Sequence, residues 1–205
     1  MKVISNPVID HQLTLMRDKN SNSLLFRSCI KSVAQFMCCE VTKDLKTKEV
    51  EVITPIAATK GKQLSQHIVL VPILRAGLGI VDAFREMIPK ARIGHIGLYR
   101  DEKTKKPVKY YCKMPDTIKG SVVILLDPML ATGHSASDAI TILKKYKPAQ
   151  IKFVSIFSAP EGIKYIESKH KDVQCYTAVI DKKLNEAKYI VPGCGDAGDR
   201  IFGTK

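Results

Sequence analysis

Residues 122–145 carry the clearest chemistry in this chain. Five apolar residues end at Asp127, a loop of small and hydroxyl side chains follows, and apolar residues then recur at helical spacing. We read this as a buried strand, an acid at its carboxyl edge, a loop and a helix. The carboxylate can accept hydrogen bonds from sugar hydroxyls, and the loop amides at the helix start favour a phosphate. The segment therefore predicts binding of a sugar phosphate.

Two arginines follow other apolar runs. Arg75 lies in a turn, residues 72–79, whose glycines let backbone amides approach an anion closely. Its guanidinium suits an oxygen-rich anion. Arg100 comes directly after the next apolar run. Taken alone, residues 72–79 also fit a tight turn with only a structural role. Arg100, taken alone, also fits a solvated charge at a strand end.

A glycine-rich segment lies close to the C-terminus. Gly193, Gly195 and Gly198 have the spacing of a dinucleotide-binding fingerprint. That fingerprint requires a preceding strand, a following helix and an acid about 20 residues further on. Here Pro192 precedes the first glycine and the chain ends seven residues after the third. We therefore reject a dinucleotide site at this segment.

The amino-acid sequences of three of these segments resemble motifs of a known protein family. Residues 127–133, Asp-Pro-Met-Leu-Ala-Thr-Gly, followed by Ser135, resemble the phosphoribosyl-pyrophosphate loop of uracil phosphoribosyltransferases. Residues 72–79, Pro-Ile-Leu-Arg-Ala-Gly-Leu-Gly, look like the pyrophosphate loop of the same family. Residues 192–199, Pro-Gly-Cys-Gly-Asp-Ala-Gly-Asp, resemble its uracil-recognition segment. The segments occur in the family order, and the resemblance covers nearly the whole chain.

The resemblance implies transfer of the 5-phosphoribosyl group from phosphoribosyl pyrophosphate to uracil, giving UMP and diphosphate. Catalytic roles would fall to Asp127, Arg100 and Asp196. Phosphoribosyl pyrophosphate would contact Arg75, Arg100, Asp127, Pro128, Met129, Leu130, Ala131, Thr132, Gly133, His134, Ser135 and Asp196. Uracil would be read by the backbone of Ile190, Gly195, Asp196 and Ala197.

The same resemblance implies Mg²⁺ as the cofactor. We expect no dedicated protein metal site, because Mg²⁺ keeps several waters and binds substrate phosphates. The implied partners are the two small-molecule substrates, a GTP effector as in some members, and further copies of this chain in a dimer or tetramer.

Bulk composition narrows the function classes. The chain has 205 residues, of which 45% are hydrophobic, so we expect a single domain, 1–205, with a real core. No apolar run is long enough to span a membrane, and the N-terminus lacks a signal-peptide stretch, so we expect a cytoplasmic protein with no membrane partner. The six cysteines form no Cys-x-x-Cys pair, and we expect reduced thiols.

The net charge of +13 raises the question of nucleic acid. The lysines are scattered along the chain, aromatic residues make up only 6%, and there is no Trp. We interpret the charge as a solvated surface that attracts small polyanionic substrates, and we expect no nucleic-acid partner.

The elements that must position these residues alternate between strand and helix. Apolar runs predict strands at 68–73, 93–98, 122–126, 151–157 and 175–180, an edge strand is predicted at 49–55, and helical spacing predicts helices at 24–38, around 80–88, after 134 and around 163–166. We expect Ser21 or Ser23 to cap the helix at 24–38. Alternation with continuous apolar strands predicts an α/β fold with a parallel sheet buried on both faces.

Two further parts complete the expected architecture. The polar, then alternating, stretch at about 99–119 predicts a protruding β-arm that can act as a lid. The resemblance implies a Rossmann-like phosphoribosyltransferase core and a small base-binding hood, the uracil-binding segment at about 181–205.

Three alternatives stay open at this point. The nearest is a phosphoribosyltransferase for another nucleobase. The second is a regulator with the same fold that binds RNA, and the third is a nucleotide-dependent oxidoreductase. The intact motifs weigh against the second, and the misplaced glycines weigh against the third.

His134 departs from the resemblance, since the family more often has Gly at this place in the loop. If the backbone there needs a positive φ, His is strained but not forbidden. We predict that His134→Gly keeps activity. A loss of more than about tenfold in kcat/KM, equivalent to ~1.4 kcal/mol, would instead show that the imidazole participates.

Overall fold

The structure is a computed structural model, and it describes residues 1–100 and 107–204, without the side chains of Arg100 and Pro107. Its strands, in chain order, are β1 Lys2–Val3, β2 Thr47–Ile53, β3 Ala58–Leu64, β4 Ile68–Leu74, β5 Arg92–Ile93, β6 His95–Arg100, β7 Pro107–Lys113, β8 Val122–Leu126, β9 Met129–Leu130, β10 Gln150–Ser158, β11 Gln174–Ile180, β12 Lys183–Leu184 and β13 Ile190–Val191. Its helices are α1 Pro7–Arg17, α2 Ser23–Val41, α3 Leu78–Met87, α4 His134–Lys144, α5 Pro160–Lys169 and α6 Ala197–Phe202, with a short 3₁₀ turn at Asp116–Ile118.

A mainly parallel sheet forms the centre of the fold. Its main path runs β1-β11-β10-β8-β4-β6-β7, with β5 beside β4 and β9 beside β10. Every pair along this path is parallel except β6 with β7. The predicted α/β class is therefore confirmed, and the predicted core strands are present with ends that differ by at most one residue. The exception is the run at 93–98, which Gly94 divides between β5 and β6.

Both faces of the sheet are covered. Along β4, Leu70 packs into a core shared with α1, α2 and α3, while its neighbour Val71 packs into a second core shared with α4. Ile124 and Leu125 divide between the two cores in the same way along β8. Alternate side chains of a strand point to opposite faces, so a continuous apolar run is what a strand covered on both sides requires.

The order of the strands creates a crevice at one edge. From β4 the chain crosses to β6 on one side, whereas β8 pairs with β4 on the other. Ligands of open α/β sheets bind at such a switch point, outside the carboxyl ends of the strands. Arg75 follows β4 and Asp127 follows β8, so both motifs begin at this edge.

The N-terminal helices differ from expectation at their starts. No helix was predicted before residue 24, but Pro7 opens α1 and the Asn6 side chain accepts a hydrogen bond from Val8 N–H at 2.9 Å. Proline is favoured at a first helical position, because its missing N–H has no partner there anyway. The predicted cap of α2 at Ser21 or Ser23 was wrong: Asn22 accepts from Leu25 N–H at 2.9 Å.

The predicted edge strand at 49–55 belongs to a separate hairpin. β2 and β3 pair antiparallel with each other and form a two-stranded sheet outside the main one. The sequence did not predict β3, because its lysines and Gly61 give no apolar alternation. Ile53 and Ile56 near the hairpin turn are 87% and 96% exposed, so the hairpin presents apolar surface to its surroundings.

β6 and β7 form the antiparallel pair on which the predicted arm depends, from His95 opposite Lys113 to Arg100 opposite Pro107. The arm's tip, residues 101–106, lies outside the described residues. In the described part of the chain, no helix has both the length and the apolar character that a membrane crossing needs.

Candidate active site

A cavity of about 320 Å³ lies at the carboxyl edge of β4 and β8, beneath a hood that we define as residues 181–204. Most of the predicted site residues with described side chains line it. These are Arg75, Asp127, Met129, Ala131, Ile190, Gly195, Asp196 and Ala197. The structure therefore brings the three sequence motifs to one place, although they lie up to 120 residues apart along the chain.

Asp127 stands at the end of β8. Its backbone N–H donates to the Val154 carbonyl at 3.1 Å, and its Oδ1 accepts from Met129 N–H at 3.3 Å. Burial raises the pKa of Asp127 to about 7, and the hydrogen bond from Met129 opposes this increase. The carboxyl therefore exchanges its proton near neutral pH, far above the usual range of an aspartate.

The first half of the phosphoribosyl loop, residues 127–135, is held as an extension of the sheet. β9 pairs with β10, and the Pro128 carbonyl accepts from Ile156 N–H and Phe157 N–H at 3.0 and 2.9 Å. Pro128 is buried, and Leu130 belongs to the core that α4 shares. Only Met129 and Ala131 of this stretch join Asp127 at the cavity wall.

The second half of the loop rests on α5. Gly133 has φ +82°, and a Cβ built on it would lie 2.9 Å from the Gly162 carbonyl oxygen. A Cβ on Gly162 would lie 2.4 Å from the Ala131 carbonyl oxygen. Both contacts are too close for any side chain, so the loop needs glycine on each side. The sequence pointed to Gly133 but gave no signal for Gly162, which occupies an ordinary helical position.

His134 is not strained in the way that its departure from the family suggested. The left-handed residue is Gly133, while His134 is the first residue of α4. Its Nδ1 lies 3.0 Å from Thr132 Oγ1, and its ring centroid is 4.5 Å from that of Tyr165. Thr132 and Gly133 precede α4, His134 and Ser135 open it, and none of these four residues lines the cavity.

The pyrophosphate turn, residues 72–79, reaches across to the hood. The Leu74–Arg75 peptide bond is cis. Arg75 Nη2 lies 3.4 Å from Asp199 Oδ1, and its guanidinium is 5.7 Å from the centre of the Phe202 ring. A Cβ on Gly77 would lie 2.5 Å from the Leu126 carbonyl oxygen, so this turn packs directly on the end of β8.

Arg100 ends β6, and its backbone lies opposite Pro107. Its side chain lies outside the described residues, so the contact with diphosphate remains a prediction.

The glycine-rich part of the hood has an unusual backbone. The Val191–Pro192 peptide bond is cis, and Gly193 and Gly195 have φ of +56° and +79°. Asp196 caps α6, since its Oδ1 accepts from Asp199 N–H at 2.9 Å. A two-residue strand precedes these glycines and a six-residue helix follows, which is not the long strand and helix of a dinucleotide fingerprint.

Sequence reasoning missed other residues at the cavity wall. They are Ala76, Lys188, Tyr189 and Gly198. Lys188 has φ +66°, and Asn185 holds the turn before it, accepting from Tyr189 N–H through its side chain at 2.8 Å. An Asn at a turn start is a recognisable signal, but nothing in the sequence relates that turn to the cavity.

Two carboxylates, Asp127 and Asp196, line the cavity. Within residues 1–100 and 107–204, no three His, Cys, Asp or Glu residues gather as a metal-binding group. The two cavity carboxylates offer oxygen ligands of the kind that a hard cation such as Mg²⁺ takes.

Comparison with solved structures identifies the fold. A hypoxanthine-guanine phosphoribosyltransferase from Bacillus anthracis matches with a TM-score of 0.54 at 14% identity, covering 78% of this chain and 80% of that one. The AQ2163 protein from Aquifex aeolicus matches with a TM-score of 0.94 at 36% identity, covering 99% and 98%. The chain thus has a phosphoribosyltransferase fold of type I.

Sequence comparisons specify the family. The family model described as uracil phosphoribosyltransferase matches residues 3–204. Proteins named uracil phosphoribosyltransferase from Finegoldia magna and Malacoplasma penetrans are 54% and 55% identical to this chain, covering 99% of it and 98% of each relative. The chain belongs to the uracil phosphoribosyltransferase family.

The backbone of Gly193 gives a test of the hood. A Cβ on Gly193 would lie 2.2 Å from the Ile190 carbonyl oxygen, whereas one on Gly120, also at positive φ, meets nothing within 4 Å. Both Ala variants share a backbone cost of about 1–2 kcal/mol, but only Gly193→Ala must move the hood. We expect Gly193→Ala to raise the KM for uracil at least tenfold and Gly120→Ala to leave it unchanged. Equal KM values in steady-state assays of the two variants would contradict this.

Proposed function

We propose that this protein transfers the 5-phosphoribosyl group from phosphoribosyl pyrophosphate to uracil, giving UMP and diphosphate in pyrimidine salvage. The observation that carries the proposal is the single cavity at which the Arg75 turn, the Asp127 loop and the hood meet. One pocket is what the reaction needs, because base and sugar must be adjacent when the anomeric carbon changes partners.

The anionic substrate is assigned to the sheet edge. Arg75 and Arg100 bind the diphosphate, and Asp127 accepts hydrogen bonds from the ribose hydroxyls. The backbone from Ala131 to Ser135, which leads into α4, holds the 5′-phosphate, where the amides of the first helical turn and the helix dipole favour an anion. Pro128, Met129 and Leu130 shape this loop through their pairing with β10.

Uracil is assigned to the hood. The base has two carbonyls with an N–H between them, so backbone amides can donate to the carbonyls and a backbone carbonyl can accept from the N–H. Ile190 and Gly195 to Ala197 line the cavity, and we assign their peptide groups as the donors and the acceptor. Cytosine would present an amino group to a donor, and a site built for hydrogen bonds rejects such a mismatch strongly.

The chemistry requires no covalent nucleophile. As diphosphate leaves, the anomeric carbon gains oxocarbenium character, and the carboxylates of Asp127 and Asp196 can stabilise that charge. The nearby thiol does not compete: burial raises the pKa of Cys194 to about 12, and its Sγ lies 3.9 Å from Met129 Sδ. Arg75 and Arg100 stabilise the departing diphosphate.

We assign Mg²⁺ as the cofactor. Asp127 and Asp196 are the cavity carboxylates that would face it, directly or through water, and the cation would neutralise charge on the diphosphate.

Four finer assignments belong to the same proposal. The arm at 99–119 covers the site and excludes water, the protein works in the cytoplasm, GTP acts as an effector, and copies of the chain assemble as a dimer or tetramer. The exposed Ile53 and Ile56 of the β2–β3 hairpin support assembly, because such apolar surface commonly lies in an interface. The family resemblance supports the other three.

The relatives do not favour the alternatives. The matched relatives are named for uracil rather than another base, and neither RNA-binding regulation nor oxidoreduction is in their names.

The decisive experiment combines the protein, Mg²⁺, phosphoribosyl pyrophosphate and labelled uracil. We expect labelled UMP with one equivalent of diphosphate, and no product from labelled cytosine. Asp127→Asn should lower kcat/KM by roughly 100-fold, the size typical of removing one electrostatic contact to the transition state. Asp172→Asn, at an exposed surface pair with Lys144, is the control and should match the wild type. Intact uracil binding without UMP would refute the proposal.

The raised pKa of Asp127 predicts a pH dependence. The ionised carboxylate can accept one hydrogen bond from each ribose hydroxyl at its two oxygens, whereas protonation turns one oxygen into a donor. The free enzyme loses the ionised form as the pH falls through about 7. The kcat/KM for phosphoribosyl pyrophosphate should therefore be constant above about pH 8 and fall towards tenfold per unit below pH 6. The substrate's own phosphates titrate too, so Asp127→Asn serves as the reference. If that variant shows the same acidic limb, the limb does not belong to Asp127.

A further inference from the structure

An ion pair outside the cavity holds the hood in place. Arg17, the last residue of α1, binds Asp181 in a bidentate manner, with Nη1 3.0 Å from Oδ2 and Nη2 2.7 Å from Oδ1. The two residues are 164 apart in sequence. Asp181 directly follows β11 and opens the hood, so the pair joins the N-terminal helical layer to the base of the hood.

The same two side chains hold both polar groups of the Gly193 backbone. Arg17 Nη1 donates to the Gly193 carbonyl oxygen at 2.9 Å, and Asp181 Oδ2 accepts from Gly193 N–H at 3.0 Å. The carboxylate and the guanidinium thus act as one clamp around a single residue. Charged partners make these bonds stronger than those between neutral groups.

The clamp is largely withdrawn from water. The Asp181 side chain is 4% exposed and that of Arg17 is 26% exposed. The Arg17 guanidinium also lies 4.9 Å from the centre of the Phe157 ring. A paired charge at such a site is weak evidence for stability, but removal of one partner leaves the other uncompensated.

A second arginine fixes the following peptide group. Arg200 Nη1 donates to the Cys194 carbonyl oxygen at 3.0 Å, and its Nη2 donates to the Asp18 carbonyl oxygen at 2.6 Å. Consecutive carbonyls, those of Gly193 and Cys194, are therefore bound by guanidinium groups. Immediately after them comes Gly195, the first residue of the stretch assigned to uracil.

Glycine explains why the turn needs such support. Gly193 and Gly195 both have positive φ, and a glycine-rich turn has many conformations of similar energy. Peptide groups that recognise a base by direction must be held in one orientation before the base arrives, or binding must supply the cost of ordering them.

We propose that Arg17 and Asp181 are positioning residues for the nucleobase: by binding both the N–H and the C=O of Gly193 they orient the peptide groups of Gly195 to Ala197 toward uracil. This rests on the proposed function, in which those groups read the base. Neither Arg17 nor Asp181 lines the cavity, so the clamp acts through the Gly193 turn, and we expect its effect to be specific to the base rather than to phosphoribosyl pyrophosphate.

Three single variants and one double variant test the clamp. Arg17→Met removes it with little change in volume, Asp181→Asn keeps the shape but removes the charge, and Arg17→Lys keeps the charge without the planar fork. We expect the first two to raise the KM for uracil at least tenfold while the KM for phosphoribosyl pyrophosphate stays within twofold. Arg17→Lys should recover part of the loss, and the double variant Arg17→Met with Asp181→Asn should be no worse than the more affected single variant.

Arg27 offers a matched control in the same region. From α2 its Nη1 donates to the Ile201 carbonyl oxygen of α6 at 2.8 Å, so it also joins the hood to the helical layer, but it does not contact the glycine turn. Arg27→Met should lower the melting temperature and leave the KM for uracil unchanged. This separates the orientation of the turn from general attachment of the hood.

Each outcome decides a different question. If the wild-type protein makes no UMP, the proposed function fails and the clamp's role in it fails too. If the wild type makes UMP but folded Arg17→Met and Asp181→Asn have a normal KM for uracil, only the positioning role is overturned. An equal rise in both KM values, or the same rise in Arg27→Met, would also overturn it. Should Arg17→Met not fold, Asp181→Asn and Arg17→Lys carry the same comparison.

Discussion

The parallel pairing of β4 with β8 is the constraint on which the site depends. Its register places Pro72 opposite Leu126, so the two strands end side by side and their loops leave from the same edge. Because the chain continues to opposite sides of β4, nothing in the sheet fills the crevice between those loops. Gly77 lies close to the Leu126 carbonyl, so the turn that follows β4 packs directly against the end of β8. The positions of Arg75 and Asp127 follow from strand register before any ligand is considered.

The sequence predicted the parts of this fold that obey short periodicities. The buried strands are recognisable because both of their faces are covered and nearly every residue is apolar, and Asp127 is recognisable as the acid that ends one of them. The helix α1 was not predicted, because the Asn-Pro at its start is equally typical of a turn, and β3 was missed because an exposed hairpin strand needs no apolar alternation. In both places the local pattern fits more than one structure, and packing against distant residues decides between them.

The candidate site also has one part that the local sequence predicts and one part that depends on packing between distant residues. Its three motifs could be predicted, because each is a contiguous string, and the structure adds that they meet in one cavity. The residues that hold those motifs in place could not be predicted. Gly162 beneath the phosphoribosyl loop and Arg17 beside Gly193 are unremarkable in the sequence, since their importance comes from contacts with residues 31 and 176 positions away. Support of this kind exists only in three dimensions.

Asp181 and Asp127 show how the fold divides its charges. Asp181 receives a guanidinium and a backbone amide, so its carboxylate is satisfied within the protein. Asp127 receives a backbone amide from Met129, and burial prevails over that single bond in raising its pKa. A carboxyl left in this condition gains most from hydrogen-bond donors or a cation brought by a ligand. The protein thus satisfies the carboxylate of Asp181, which shapes the hood, with its own hydrogen bonds. The carboxyl of Asp127, in the cavity, is left to gain further hydrogen bonds from a bound ligand.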